Sequence, residues 1–315
     1  MLTILIYLIV GIAFLSLGAD RLVRGSSSIA LRLGLSPLVI GLTIVAFGTS
    51  MPELVVSSQA ALDRHGEIAL GNVIGSNIFN IAVILGLTAL IQPLKVNLQV
   101  LRLDMPAMIF TSLLFVLFFR DHSINRGEGL ILFLGILGYT ALTFYLARRE
   151  AKKGSELVYQ ESIPSKGKKV TTDLLWIATG FSLLILGSHL FVQGSIDLAR
   201  MWGVSEAIIG LTIVALGTSL PELATSLVAA LHKEVDIAIG NIVGSNLFNL
   251  LCILGISSLL MPVEGTAISA VDIGMMIGTA VLLLPFMWTG FALSRWEGLV
   301  LLCGYSGYLF YLWPK

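Results

Sequence analysis

Two glutamates, Glu53 and Glu222, end two copies of one short motif, Gly-Thr-Ser-x-Pro-Glu, at 48–53 and 217–222. Both lie far along the chain from any basic residue: no Lys or Arg occurs in 33–63, 65–94, 201–232 or 234–294. A charge at bilayer depth costs at least about 2.5–3.5 kcal/mol and is usually there for a function. Two buried carboxylates without basic partners have to be neutralised by protons or bound cations. The chemistry open to these residues is therefore cation or proton binding.

Their neighbours supply neutral oxygen. Pro52 has no N–H, so the Gly48 carbonyl loses its helical donor, and Gly48 itself lets the backbone distort. Carbonyls from Ala46 to Thr49 are expected to face a cavity, where a broken helix is tolerated at membrane depth. Pro221 and Gly217 repeat the arrangement over Ala215 to Thr218. Ala46, Ser50 and Glu53 share one helix face, and Thr49 stands one turn before Glu53. Downstream, Asn72, Ser76 and Asn80 form a polar stripe at four-residue spacing, repeated by Asn241, Ser245 and Asn249. Ser76, Asn80, Ser245 and Asn249 read as ion ligands. For Asn72 and Asn241, ligation and interhelical hydrogen bonding both stand, the latter favoured by the small Gly71, Gly75, Gly240 and Gly244 nearby. Carboxylates, hydroxyls, amide oxygens and carbonyls suit hard cations such as Ca²⁺ and Na⁺, and argue against zinc or copper. Two carboxylates balance one Ca²⁺, and the same pocket can hold several Na⁺ ions instead. Competition for shared ligands is a physical basis for exchange.

The elements that must position these groups are membrane helices. The 315 residues are 56% hydrophobic and 12% charged, against roughly 25% charged in soluble domains. Basic and acidic residues cancel at 19 each, which leaves no nucleic-acid signature. The lipid bilayer is the expected partner, and no obligate protein partner is inferred. Cys252 and Cys303 lie in apolar runs and read as packing residues, with no disulfide or metal role. At roughly 20 apolar residues per crossing, the pattern predicts an all-α polytopic membrane protein of ten transmembrane helices. They fall near 2–20, 37–62, 68–92, 103–119 and 127–147, then 173–193, 206–231, 236–261, 271–288 and 296–313. The first span has no basic n-region before it, so it reads as a permanent helix rather than a signal peptide.

A shift of 169 residues superimposes the chain on itself. It aligns GLTIVAFGTSMPELV with GLTIVALGTSLPELA, identical at twelve of fifteen positions, and GNVIGSNIFN with GNIVGSNLFN, identical at seven of ten. The expected organisation is a first half at 1–147, a cytoplasmic linker at 148–172 and a second half at 173–315, each half with five spans. An odd number of crossings inverts the second copy, a plan recurrent in secondary transporters that bind substrate between the repeats. Counting Lys and Arg on each side gives fourteen against five in favour of a cytoplasmic linker and extracytoplasmic termini.

The doubled GTSMPE and GTSLPE, each followed by GNxxGSNxFN, resemble the α-repeats of the cation/Ca²⁺ exchanger superfamily, specifically the prokaryotic sodium/calcium exchangers. The resemblance spans nearly the whole chain. It implies an Na⁺/Ca²⁺ antiporter of the cell membrane working by alternating access, with spans one and six sliding as a gating pair. A central Ca²⁺ site would use the carboxylates of Glu53 and Glu222, the carbonyls of Thr49 and Thr218, and Asn80 and Asn249. Flanking Na⁺ sites would use Ser50, Ser219, Ser76, Ser245 and the carbonyls of Ala46 and Ala215. The ions are cargo, and no cofactor is implied. Asn249 stands where some relatives carry Asp, which makes the centre less acidic and weakens a K⁺-dependent reading. His189 stands opposite Asp20 in the repeat, where the family often has acids in both halves. The alternative is a Ca²⁺/H⁺ antiporter, although the Gly-Asn-x-x-Glu pattern of proton-coupled relatives is missing. An intramembrane enzyme is not expected, because paired Asp, His-Glu-x-x-His and Ser/His arrangements are lacking at membrane depth.

Overall fold

The chain is described here from a computed structural model over residues 1–152, 170–203 and 215–312. The first half holds α1 (Leu2–Leu33), α2 (Pro37–Thr49), α3 (Met51–Leu62), α4 (Gly66–Ile91), α5 (Val100–Asp121) and α6 (Arg126–Lys152). The second holds α7 (Val170–Met201), the short α8 (Ala215–Gly217), α9 (Leu220–Leu231), α10 (Val235–Leu260), α11 (Ala270–Phe291) and α12 (Arg295–Leu312). Ends are set by local chemistry. Gly34 closes α1 at φ 64°, and its counterpart one repeat later, Gly203, stands at φ 76° after α7. Ser36 caps α2 just ahead of Pro37, and Ser269 and Asp272 form a reciprocal capping box on α11.

Among the described residues seven helices are long and apolar enough to cross a membrane, or eight if α2 and α3, bent by 47° at their junction, count as one crossing. The ten expected crossings are thus not all recovered. The N-terminal part of the expected seventh span, 206–214, and linker residues 153–169 lie outside the described residues. The 18-residue α12 opens on Arg295 and Glu297 and is not among the seven. Several boundaries also move. α1 and α7 run past the expected 2–20 and 173–193 by more than two turns, because the polar residues at their ends pair with each other and with neighbouring loops instead of ending the helix. α6 and α7 likewise take up 148–152 and 170–172 from the edges of the expected linker.

The chain is not purely helical. β1 (Leu94–Lys95) pairs with β4 (Ala292–Leu293), and β2 (Ser123–Ile124) with β3 (Val263–Glu264), both antiparallel. These ladders satisfy loop backbone groups where helices end. They are also reciprocal: Leu94 faces Leu293 while Ile124 faces Val263, and the repeat shift turns one pair into the other. Reciprocity of this kind is what a two-fold relation between halves generates.

Two layers of helix separate by burial. In the most apolar stretches of α10 and α4, 100% and 72% of residues are buried, against 22% and 28% in α1 and α7. α1 and α7 lie antiparallel on the outside, joined along a glycine seam. A Cβ on Gly18 would stand 2.9 Å from the Gly180 carbonyl oxygen, and one on Gly187 2.7 Å from the Leu15 nitrogen. The C-terminal part of α1 is tied to other elements by polar contacts. Asp20, which also accepts from Arg24 of α1 at 2.9 Å, lies 3.3 Å from His232 Nε2, Ser27 donates to Glu234 at 2.8 Å, and Arg32 pairs with Asp173. Residues one repeat away, His189 and Asp63, are both exposed.

The seam yields a prediction. Gly187→Ala drives a methyl into backbone and destabilises by about 1–3 kcal/mol. Gly138→Ala, where a Cβ meets nothing within 4 Å, gains about 0.5–1 kcal/mol of helix propensity. Melting temperatures of the two variants in one detergent are expected to move in opposite directions.

Candidate cation site

Both motifs break their helices at the residue before the Pro-containing turn. Ser50 stands at φ −85°, ψ 8° between α2 and α3, and Ser219 at φ −86°, ψ 5° between α8 and α9. Pro52 and Pro221 take early positions of the new helices, where a missing N–H costs nothing. Glu53 and Glu222 therefore fall in the first turns of α3 and α9, where unpaired backbone N–H groups and the helix dipole favour negative charge. Gly48 lies directly under a ring of the second half. A Cβ there would stand 1.9 Å from the Phe181 ring of α7.

The halves bind each other's acids. Ser219 Oγ donates to Glu53 Oε1 at 2.9 Å, and Ser50 Oγ to Glu222 Oε1 at 2.7 Å. Ser219 and Ser76 hydroxyls lie 3.1 Å apart. Thr49 Oγ1 donates to Asn241 Oδ1 at 3.0 Å, and Thr218 Oγ1 to Asn72 Oδ1 at 3.3 Å. Asn72 Nδ2 reaches the Glu53 carbonyl at 3.3 Å and Ser57 Oγ at 2.9 Å. Asn241 does the same to Glu222 at 3.4 Å and Ser226 at 3.0 Å. Asn72 and Asn241 thus resolve toward hydrogen bonding: they splice the two motifs together.

Among the described residues, five side-chain oxygens of the two motifs are buried without a hydrogen-bond partner: Glu53 Oε2, Glu222 Oε2, Asn80 Oδ1, Asn249 Oδ1 and Ser245 Oγ. An unsatisfied buried polar atom costs about 1–3 kcal/mol, and more when charged. With the glutamates ionised, four of the five are acceptors only, open to a donor or a cation. Among the described ion pairs none involves Glu53 or Glu222. The donor set fits a hard cation of high coordination number.

The expected residues are placed as follows. Ser50 and Glu222 form one bonded pair, Glu53, Ser219 and Ser76 a second cluster, and Asn80, Asn249 and Ser245 are buried with oxygens that have no partner among the described residues. The hydroxyls of Thr49 and Thr218 turn to the amides of the opposite half. The Ala46 carbonyl, expected free, accepts both Ser50 N–H at 3.1 Å and Thr49 Oγ1 at 3.3 Å. Ala215 opens α8. The Gly217 carbonyl, released by Pro221, is not left free. It accepts Ser188 Oγ of α7 at 2.6 Å, because the freed lone pair is satisfied by the nearest hydroxyl.

Two groups went unread in the sequence. Asn77 and Asn246 accept the amide N–H of Asn249 and Asn80 at 3.0 and 3.1 Å. They lie off the four-residue stripe, and their one signal was identity across the repeat. Asp104, expected at a span end, is fully buried in α5, where it accepts from Tyr139 Oη at 2.8 Å. Its counterpart in the second half, Asp272, accepts from Tyr308 at 2.6 Å.

The model of the sodium/calcium exchanger protein family matches residues 3–145 and 172–313. CaxA of Alkalimonas amylolytica is 39% identical over 320 residues, with 100% of each chain covered. The sodium/calcium exchanger MaX1 of Methanosarcina acetivorans is 34% identical, with 96% of each chain covered. Among solved structures, the sodium-calcium exchanger NCX_Mj superimposes with a TM-score of 0.84 at 29% identity over 99% of each chain.

If the orphaned oxygens hold a cation, Ca²⁺ stabilises the fold by mass action. At a hundred times its Kd it adds about 2.7 kcal/mol. Purified protein is expected to melt higher in Ca²⁺ than in chelator, and Glu53→Gln/Glu222→Gln to lose that difference.

Proposed function

The chain belongs to the sodium/calcium exchanger protein family, and from that premise we propose that it exchanges Na⁺ for Ca²⁺ across the cell membrane by alternating access. It is a multi-pass membrane protein. The observation that carries the reading is the pair of buried carboxylates, each bonded by a serine of the opposite half and each keeping one oxygen unpartnered. One Ca²⁺ balances both charges. Na⁺ ions at the same carboxylates, with Ser50, Ser219, Ser76, Ser245 and main-chain carbonyls, balance them equally. An empty site leaves net charge in low dielectric, so only loaded states cross between the two access conformations. This is antiport derived from electrostatics, and the site acts by binding, with no bond chemistry and no enzymatic step.

The site roles follow the family expectation. Glu53, Glu222, Asn80, Asn249 and the carbonyls of Thr49 and Thr218 hold Ca²⁺, while the serines and the carbonyls of Ala46 and Ala215 hold Na⁺. The Ala46 carbonyl, doubly bonded here, is freed for Na⁺ when the Thr49 hydroxyl turns away. Residues 1–147 and 173–315 act as inverted five-helix repeats around the site, ten helices in all, with 148–172 cytoplasmic and both termini extracytoplasmic. The uneven ties of α1 support a moving α1–α7 pair. Asp20 and Ser27 hold it to the turn between α9 and α10, and the two-fold relation supplies an alternative in which α7 meets the turn after α3.

Radiolabelled Ca²⁺ uptake into proteoliposomes tests the coupling. Uptake is expected to follow an outward Na⁺ gradient and to persist when a proton ionophore collapses any pH difference. Uptake driven by a pH gradient without Na⁺ would replace sodium by protons as the counter-ion. Glu53→Gln and Glu222→Gln are each expected to cut the rate by a factor of a hundred or more, about 2.7 kcal/mol.

A further inference from the structure

We propose that Asn77 and Asn246 are positioning residues that decide which face of a ligand amide meets the ion, and that Met108 and Met276 set them in turn. The proposal rests on the cation-site reading above. An Asn side chain has nearly the same shape after a half-turn about its last bond, yet opposite polarity: one end accepts and the other carries two donors. At a cation site the wrong orientation presents N–H dipoles to the ion and repels it. Asn80 and Asn249 therefore need something outside the site to choose their orientation.

The geometry points to a relay for each. Asn80 Nδ2 donates to Asn246 Oδ1 at 3.1 Å, and Asn249 Nδ2 to Asn77 Oδ1 at 3.0 Å. With their NH₂ groups so engaged, the Oδ1 atoms of Asn80 and Asn249 are the ones left buried and unpartnered. Asn246 and Asn77 are amides themselves and face the same ambiguity. Asn246 Nδ2 lies 3.5 Å from Met108 Sδ, and Asn77 Nδ2 3.9 Å from Met276 Sδ. A thioether accepts and cannot donate. It takes the NH₂ end and so leaves the oxygen for the ligand amide. Turning Asn246 over would set its carbonyl against the sulfur lone pairs and its NH₂ against that of Asn80, two repulsions at once. All six residues are buried.

Each relay crosses the molecule twice. Met108 and Asn80 belong to the first half and Asn246 to the second, and the other relay is the reverse. Ligand orientation at the ion site thus depends on contact between halves. Both ligand amides also sit in π-helical turns, Asn80–Leu85 and Phe248–Ile253, a local widening often found at functional sites.

The test compares Asn246→Leu, Met108→Leu and Glu53→Gln in proteoliposomes, reading apparent KM for Ca²⁺ and kcat separately. Loss of a partner that orients a metal ligand typically costs 10–100-fold in affinity. Asn246→Leu is expected to raise KM by roughly tenfold or more with a smaller change in kcat. Met108→Leu conserves volume and removes only the sulfur acceptor. It is expected to keep the wild-type melting temperature in chelator while raising KM by about threefold. Wild-type KM in Met108→Leu overturns the relay, whether or not Asn246→Leu folds. Full exchange in Glu53→Gln overturns the site reading itself, which separates the two failures.

Discussion

Two carboxylates are buried inside the fold, and among the described residues no basic side chain pairs with either. That charge imbalance is the constraint on which the rest of the structure depends. Each acid is held at the N-terminal end of a helix that begins at the centre of the fold, so breaking α2 from α3 and α8 from α9 creates favourable ends for negative charge. Each acid also takes a serine hydroxyl from the other half. Neither half completes the site alone, and what neutralises one acid is felt by the other.

Rigidity is distributed to suit. α4 and α10, which carry the asparagines and serines of the second motif, are the most buried helices, and their side chains are cross-bonded between halves. α1 and α7 expose most of their length and touch each other through glycine, where close backbone approach replaces interlocking side chains. The seam between α1 and α7 thus differs in kind from the core, which is held by polar bonds between halves. The Ser188 bond to the Gly217 carbonyl and the Phe181 ring over Gly48 link that pair to the two helix breaks.

The amino-acid sequence alone determined the class of the molecule and the chemistry of its centre. Apolar composition required a membrane, the 169-residue shift required two related halves, and the absence of Lys and Arg around Glu53 and Glu222 required a cation or proton. All three are properties of the chain read along its length. Tertiary structure decided the pairings. The bonds from Ser219 to Glu53, Thr218 to Asn72 and Asn249 to Asn77 join residues 146 to 172 positions apart in the chain, each crossing between halves. No periodicity encodes them, because a hydroxyl or amide suits many partners and its choice is made by where helices cross. The same reason hid Asn77, Asn246 and Asp104, whose roles come from what packs against them. It also decided the fate of one freed carbonyl. Proline dictates that the Gly217 oxygen loses its helical donor, but only the packing of α7 could place the Ser188 hydroxyl there to replace it.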